Sequence, residues 1–257
     1  MDLGLHGMRA LVTGASEGIG LAAATLLRAE GAEVAIAARN PAAAAAAIGA
    51  LPVAVDLSRP DGGERAVAEA AAALGGIDLL VNNVGTARIA TFEELTDADW
   101  DDAWNLNVMS HLRCIRAALP ALRESRAAAI VNVASTSGKR PSPGMPHYSV
   151  TKAAVLSLSR LVADVYAKAG IRSNAVCPGP TLTPAWLGAG GLADQTAAAS
   201  DRDRDAVLGA VGGGRPLGRM ATTEEIAVVI AFLCSPRAAY VTGAAWSVDG
   251  GTVPIII

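Results

Sequence analysis

Arg9-Ala10-Leu11-Val12-Thr13-Gly14-Ala15-Ser16-Glu17-Gly18-Ile19-Gly20 is the stretch that decides the fold. Its first five residues form a β-rich run. The glycines that follow, Gly14, Gly18 and Gly20, make a G-x3-G-x-G pattern opening into an apolar-periodic segment over 19–30. Glycine permits the tight turn, lets backbone amides approach a pyrophosphate, and allows strand and helix to pack closely. The helix start then turns unpaired N–H groups and a partial positive charge toward that pyrophosphate. Ser16, Glu17 and Ile19 fill the turn and join the glycines as candidate dinucleotide contacts. A glycine-rich turn alone is weak evidence; its position between the first strand and the first helix carries the reading.

Working outward, further β-rich runs occur at 33–38, 52–55, 77–82, 129–134, 171–177 and 244–248, with helical stretches between them. Several are apolar throughout, as strands covered on both faces are. Regular alternation of strand and helix predicts an α/β protein with a doubly wound parallel sheet. No linker interrupts the 257 residues, which suit a single domain spanning 1–257. Gly31 stands where a C-terminal glycine cap belongs, and Ala42–Ala47 is strongly helix-forming. Thr96 with Asp99 and Thr222 with Glu225 have capping-box spacing, the first using Asp in place of Glu. Segment 185–215 is glycine-rich, with an Asp-Arg alternation at 201–205, and reads as a mobile substrate lid rather than a structural element.

Composition narrows the function classes. Apolar residues make up 52% of the chain and charged residues 18%, enough for a sizeable core. Apolar stretches such as 226–234 are far shorter than the ~20 residues of a membrane span, so no membrane association is expected. The N-terminus shows no export signal. A net charge of −3 argues against a nucleic-acid partner. Cys114, Cys177 and Cys234 lack disulfide or metal-ligand spacing, which predicts buried reduced thiols and a cytoplasmic address. His6, His111 and His147 are scattered, so no metal is expected.

The end of the second strand selects the coenzyme. An acidic residue there accepts from the ribose 2′-hydroxyl of NAD and repels a 2′-phosphate. Here the strand ends in Ala37-Ala38 with Arg39 next, and a guanidinium offers several donors to a phosphate. NADP(H) is therefore the expected coenzyme, with NAD(H) as the alternative. Glu17 works against this, lying near such a phosphate or pairing with Arg39. Asp56, with Leu57 beside it after the third strand, is a candidate for the adenine amino group and equally an ordinary strand-end cap.

Tyr148 and Lys152 are spaced i, i+4 and share one helical face. Ser135 follows the strand around 129–134, Asn107 lies on the preceding helix, and Asn82-Asn83-Val84-Gly85 follows the fourth strand. Together with the glycine turn, these motifs closely resemble the classical short-chain dehydrogenase/reductase family over nearly the whole chain, Thr13 to Gly251. The resemblance implies a Rossmann fold and hydride transfer between a nicotinamide coenzyme and a carbonyl or secondary alcohol, 3-oxoacyl reduction included. It implies that Tyr148 is the proton donor, that Ser135 binds the carbonyl oxygen, and that Lys152 lowers the phenol pKa from its ordinary ~10 and binds ribose hydroxyls. Asn107 would anchor a water, and Asn83 and Gly85 would approach the adenosine ribose. Pro178-Gly179-Pro180-Thr181-Leu182-Thr183 resembles the segment around the nicotinamide, with Thr181 and Thr183 holding the carboxamide. Val84 replaces the family's usual small Ala, and this crowds the coenzyme slightly.

A catalytically silent nucleotide-binding regulator has no need of a phenolic acid, and a methyltransferase has no use for Ser135, Tyr148 and Lys152. Related enoyl reductases have a longer Tyr-to-Lys gap. Met145 and Trp186 are candidates for the apolar substrate wall, while His147 reads as an ordinary flanking residue. Family members commonly form homotetramers or homodimers through helices like 98–122 and 148–168, and the apolar end Val253–Ile257 suits such an interface.

Overall fold

Every expected β-rich run forms a strand in the computed structural model, which describes residues 2–254. The strands are β1 (Arg9–Thr13), β2 (Glu33–Ala38), β3 (Leu51–Ala54), β4 (Leu79–Asn82), β5 (Ala129–Val133), β6 (Arg172–Pro178) and β7 (Ala245–Val248). They pair in parallel throughout, in the order β3-β2-β1-β4-β5-β6-β7. The first half of the chain carries α1 (Gly18–Ala29), α2 (Ala42–Ile48), α3 (Gly62–Leu74), α4 (Asp97–Trp104) and α5 (Ser110–Arg123). The second half carries α6 (Thr136–Lys139), α7 (Pro146–Tyr166), α8 (Pro184–Leu187), α9 (Leu192–Ser200), α10 (Arg204–Gly213) and α11 (Thr223–Cys234).

Alternation of side chains along each strand explains the continuous apolar runs. Val12, Ile36, Val81 and Val131 face a core shared with Ala24 and Leu27 of α1 and Ile226 and Ile230 of α11. Leu11, Ala35, Leu80 and Ile130 face the other core, with Val67 of α3, Ile115 of α5 and Val162 of α7. Both faces of the five central strands are covered, as in other parallel sheets, while the edge strands β3 and β7 stay largely exposed. The fold is the expected doubly wound one.

Local signals hold too. Gly31 takes φ +85 just past α1, and both capping boxes form at α4 and α11. The third strand begins one residue earlier than expected. The larger difference is 185–215, which folds into α8, α9 and α10 instead of an irregular stretch. These helices are too short to display an apolar period. The buried Leu192 and Ala193 anchor α9 and Val207 anchors α10, which Asp203 also caps, its side chain accepting from the Asp205 and Ala206 amides.

Between α4 and α5 the helix widens into a π turn, Asn105–Met109. β1 lies between β2 and β4, so the loops after β1 and β4 diverge and open a crevice at the carboxyl ends of the strands. Among the described residues, no helix is long and apolar enough to cross a membrane. Ile255–Ile257 of the expected interface segment lie outside the described residues.

Candidate active site

The crevice begins at the glycine turn. Gly14 and Gly18 adopt φ +62 and +59, where a side chain would be strained. A Cβ on Gly20 would lie 2.5 Å from both Gly14 O and the Asn83 amide nitrogen. Asn83 is engaged there: Nδ2 donates to Thr13 O at 3.2 Å and to Gly14 O at 2.9 Å, and its backbone N–H donates to Thr13 Oγ1 at 3.0 Å. It thus braces the turn. Unlike α4 and α11, α1 has no side-chain cap at its N-terminus and no acidic residue in its first turn. Its free N–H groups therefore face the crevice, as an anion site requires. These features fit a dinucleotide.

One end of the crevice, about 750 Å³, is lined by Ser16, Glu17, Arg39, Asp56, Leu57 and their neighbours. Arg39 is exposed. Among the described residues it makes no ion pair with Glu17. Asp56 accepts from Ser58 N at 3.0 Å and Ser58 Oγ at 2.7 Å, which holds its carboxyl below the usual range. Asn105 steadies this end, donating to Ser58 O at 2.5 Å while accepting from Arg113 at 2.8 Å.

The other end, about 440 Å³, contains Ser135, Tyr148 and Lys152 in one wall. Ser135 is nearly buried and caps α6 from an extended conformation, its Oγ accepting from Ser137 N at 3.1 Å. Tyr148 and Lys152 sit one turn apart on α7, with Nζ 5.7 Å from the phenol ring centre and donating to Val133 O at 2.8 Å. Asn107 is buried in the π turn. Its Oδ1 accepts from Thr86 N at 2.8 Å, and Nδ2 donates to Thr86 O at 3.1 Å and Thr151 Oγ1 at 3.0 Å. Thr151 Oγ1 in turn donates to Tyr148 O at 2.8 Å. The Asn107 amide therefore ties the loop after β4 to the start of α7, and its hydrogens are already placed. A π turn is the device that aims a helical side chain this way.

Electrostatics depart from the expectation for the phenol. Burial raises the Tyr148 pKa above its ordinary value, opposed by a hydrogen bond with Ser135; Lys152 is not what sets it. Burial also pulls Lys152 down to about 8. In both groups the leading cause is desolvation, which penalises the charged form.

Pro178, Thr181 and Thr183 line this end. Gly179 does not; it allows close packing, since a Cβ would lie 2.8 Å from Asp249 Cα. Trp186 lines the cleft, whereas Met145 caps α7 outside it. His147 is buried edge-on to Trp100, away from the cleft. Val84 packs partly into the core shared with α3 and α5. Ala87, Ala189, Leu192 and Gln195 also line the cleft. Ala189, Leu192 and Gln195 fall within the 185–215 segment expected over the substrate, but sequence reasoning singled out none of them and missed Ala87, since residues of this kind announce nothing in isolation.

A family model described as Enoyl-(Acyl carrier protein) reductase matches residues 14–253, a span that includes the glycine turn and the Ser135, Tyr148 and Lys152 wall. The chain belongs to the classical short-chain dehydrogenase/reductase family. It is an oxidoreductase of the class acting on carbonyl and alcohol groups. Among relatives of this short-chain dehydrogenase/reductase, an uncharacterized oxidoreductase of Bacillus subtilis, YvrD, is 36% identical, covering 98% of this chain and 99% of the relative. The 3-oxoacyl-[acyl-carrier-protein] reductase FabG of Vibrio cholerae is 35% identical, over 97% and 98%. The L-sorbose reductase of Gluconobacter frateurii, solved with NADPH and L-sorbose, superposes with a TM-score of 0.91 at 36% identity, over the full length of both chains.

Proposed function

We propose that this enzyme reduces a ketone to a secondary alcohol with NADPH, Tyr148 giving its proton to the carbonyl oxygen. The observation that carries the reading is one cleft wall holding Ser135, Tyr148 and Lys152, continuous with an end that presents Arg39. NADPH, when bound, supplies the hydride. A phenol held above its ordinary pKa stays protonated at neutral pH, the form a reductase needs. Ser135 donates to the same oxygen and stabilises the negative charge that develops on it. Lys152 holds the nicotinamide ribose and supplies positive charge beside the phenol. Asn107 acts as a positioning residue, fixing Thr86 and the first turn of α7.

The α1 N-terminus and the backbone of Gly14, Ser16, Gly18, Ile19 and Gly20 take the pyrophosphate, and Arg39 takes the 2′-phosphate. Asp56 and Leu57 border the adenine. Asn83 and Gly85 shape the ribose floor, and Pro178, Thr181 and Thr183 shape the nicotinamide pocket, with Gly179 packed behind them against Asp249. Binding of NADPH by the L-sorbose reductase supports this preference. Residues 185–215 serve as the lid over the substrate within a single domain. A homotetramer in the cytoplasm completes the proposal. The exposed Leu161 and Val165 of α7 support the assembly, and three buried free cysteines support the compartment.

The test is consumption of reduced coenzyme by the purified chain with ketones, an enoyl thioester and each dinucleotide. Ketone-dependent oxidation of NADPH faster than of NADH is expected. Turnover of the enoyl thioester alone would contradict the reading.

A further inference from the structure

The mouth of the cleft beyond Tyr148 is built from Ala87, Ala185, Trp186, Ala189 and Leu192, with the single amide of Gln195. That amide is already engaged. Its Oε1 accepts from Ile89 N at 2.9 Å, and its Nε2 donates to Gly190 O at 2.8 Å, tying α9 to the loop after β4. Two charged residues, Glu17 and Lys152, line the cleft on its coenzyme side, while those around its mouth are paired with one another. Arg204 meets Asp194 at 2.7 Å and also donates to Leu187 O. Asp194 accepts from Gly190 N at 2.8 Å, and Arg88 holds Asp99 at 2.8 Å. None of these four charged residues lines the cleft. The hydroxyls of Ser135 and Tyr148 serve the reacting oxygen, and Thr86 and Thr183 sit beside the coenzyme half.

From this distribution we infer that the substrate is a compact, uncharged ketone with apolar groups on both sides of its carbonyl. The inference rests on the ketoreductase reading of the same site. A polyhydroxylated substrate would leave its extra hydroxyls against alanine, leucine and indole, and a hydroxyl buried without a partner forfeits its bonds to water. An anionic substrate would find only the Lys152 ammonium, which the coenzyme ribose engages, and would share the cleft with the Glu17 carboxylate. Compactness follows from volume: the same cleft of about 440 Å³ also receives the nicotinamide end of the coenzyme. Trp186, the largest apolar side chain of the mouth, suits a flat or branched apolar substituent.

The experiment compares acetophenone, L-sorbose and acetoacetate as substrates of the full chain with NADPH, and uses diacetyl, a small activated ketone, to report reductase activity as such. The kcat/KM for acetophenone is expected to exceed those for L-sorbose and acetoacetate by on the order of 100-fold, since the hydroxyls of L-sorbose and the carboxylate of acetoacetate would go unpartnered. Diacetyl turnover with L-sorbose or acetoacetate equal to or better than acetophenone overturns the inference and leaves the ketoreductase reading standing. Failure of every carbonyl, diacetyl included, with both coenzymes overturns both. Trp186→Ala should raise the acetophenone KM by about tenfold with the NADPH KM unchanged, in line with the lost apolar contact; an unmoved acetophenone KM also overturns the inference.

Discussion

Replacing Lys152 by Met should make the fold more tolerant of neutral pH while removing activity. The Lys152 ammonium is buried and its pKa is pulled from 10.5 to about 8. At about 1.4 kcal/mol per pH unit, keeping it charged in the folded chain costs about 3 kcal/mol at pH 7. Methionine fills a similar volume without charge, but leaves Val133 O without its 2.8 Å donor, a loss of about 1–3 kcal/mol. The variant should therefore be between equal to wild type and about 2 kcal/mol more stable at pH 7. The sign with pH is definite. Between about 8 and 10.5 the unfolded wild type holds a proton that the folded form has released, so wild-type stability rises with pH across that window. The variant lacks this rise. Urea denaturation of both proteins at neutral pH and again near pH 10 should show the variant's advantage falling by about 3 kcal/mol. A difference between the two proteins that does not change with pH would refute the argument that burial of this amine sets its pKa.

Further outcomes follow from the other end of the cleft and from the frame. Arg39→Ala should weaken NADPH by roughly 10- to 100-fold through loss of a charge-assisted contact and leave NADH nearly unaffected; fluorescence titration with each coenzyme would show equal losses if Arg39 does not meet the 2′-phosphate. Gly20→Ala places a Cβ 2.5 Å from Gly14 O and the Asn83 amide, so it should cost about 1–3 kcal/mol and most coenzyme binding, and wild-type affinity by calorimetry would contradict that. Thr222→Ala removes the capping box of α11 and should lower stability by about 0.5–2 kcal/mol with kcat unchanged; a selective fall in kcat would point to a different role.

The frame was legible because its signals are local and redundant. The glycine turn, the apolar runs and both capping boxes each constrain a few adjacent residues, and the parallel sheet makes them agree. Tyr148 and Lys152 were legible because helical spacing alone puts them on one face. What lay beyond reading was set by contacts distant in sequence. Gln195 reaches Ile89 across 106 positions, and Asn107 acts through a π turn that no residue pattern announces. Asn83 reads as a ribose contact in the sequence, and its second task, bracing Gly14 through its amide, arises because β1 and β4 are neighbours. The direction of the phenol pKa lay beyond reading for the same reason: a Tyr-x3-Lys spacing reports the nearby cation and says nothing of the burial that raises it.

Proton delivery by Tyr148 is most directly examined by comparing Tyr148→Phe with wild type in NADPH-dependent ketone reduction, alongside NADPH affinity. Turnover should fall by at least ~10²–10⁴-fold, the worth of a positioned acid, with the dissociation constant for NADPH moving no more than a few-fold. A phenylalanine variant that keeps reducing the ketone at a comparable rate contradicts the mechanism.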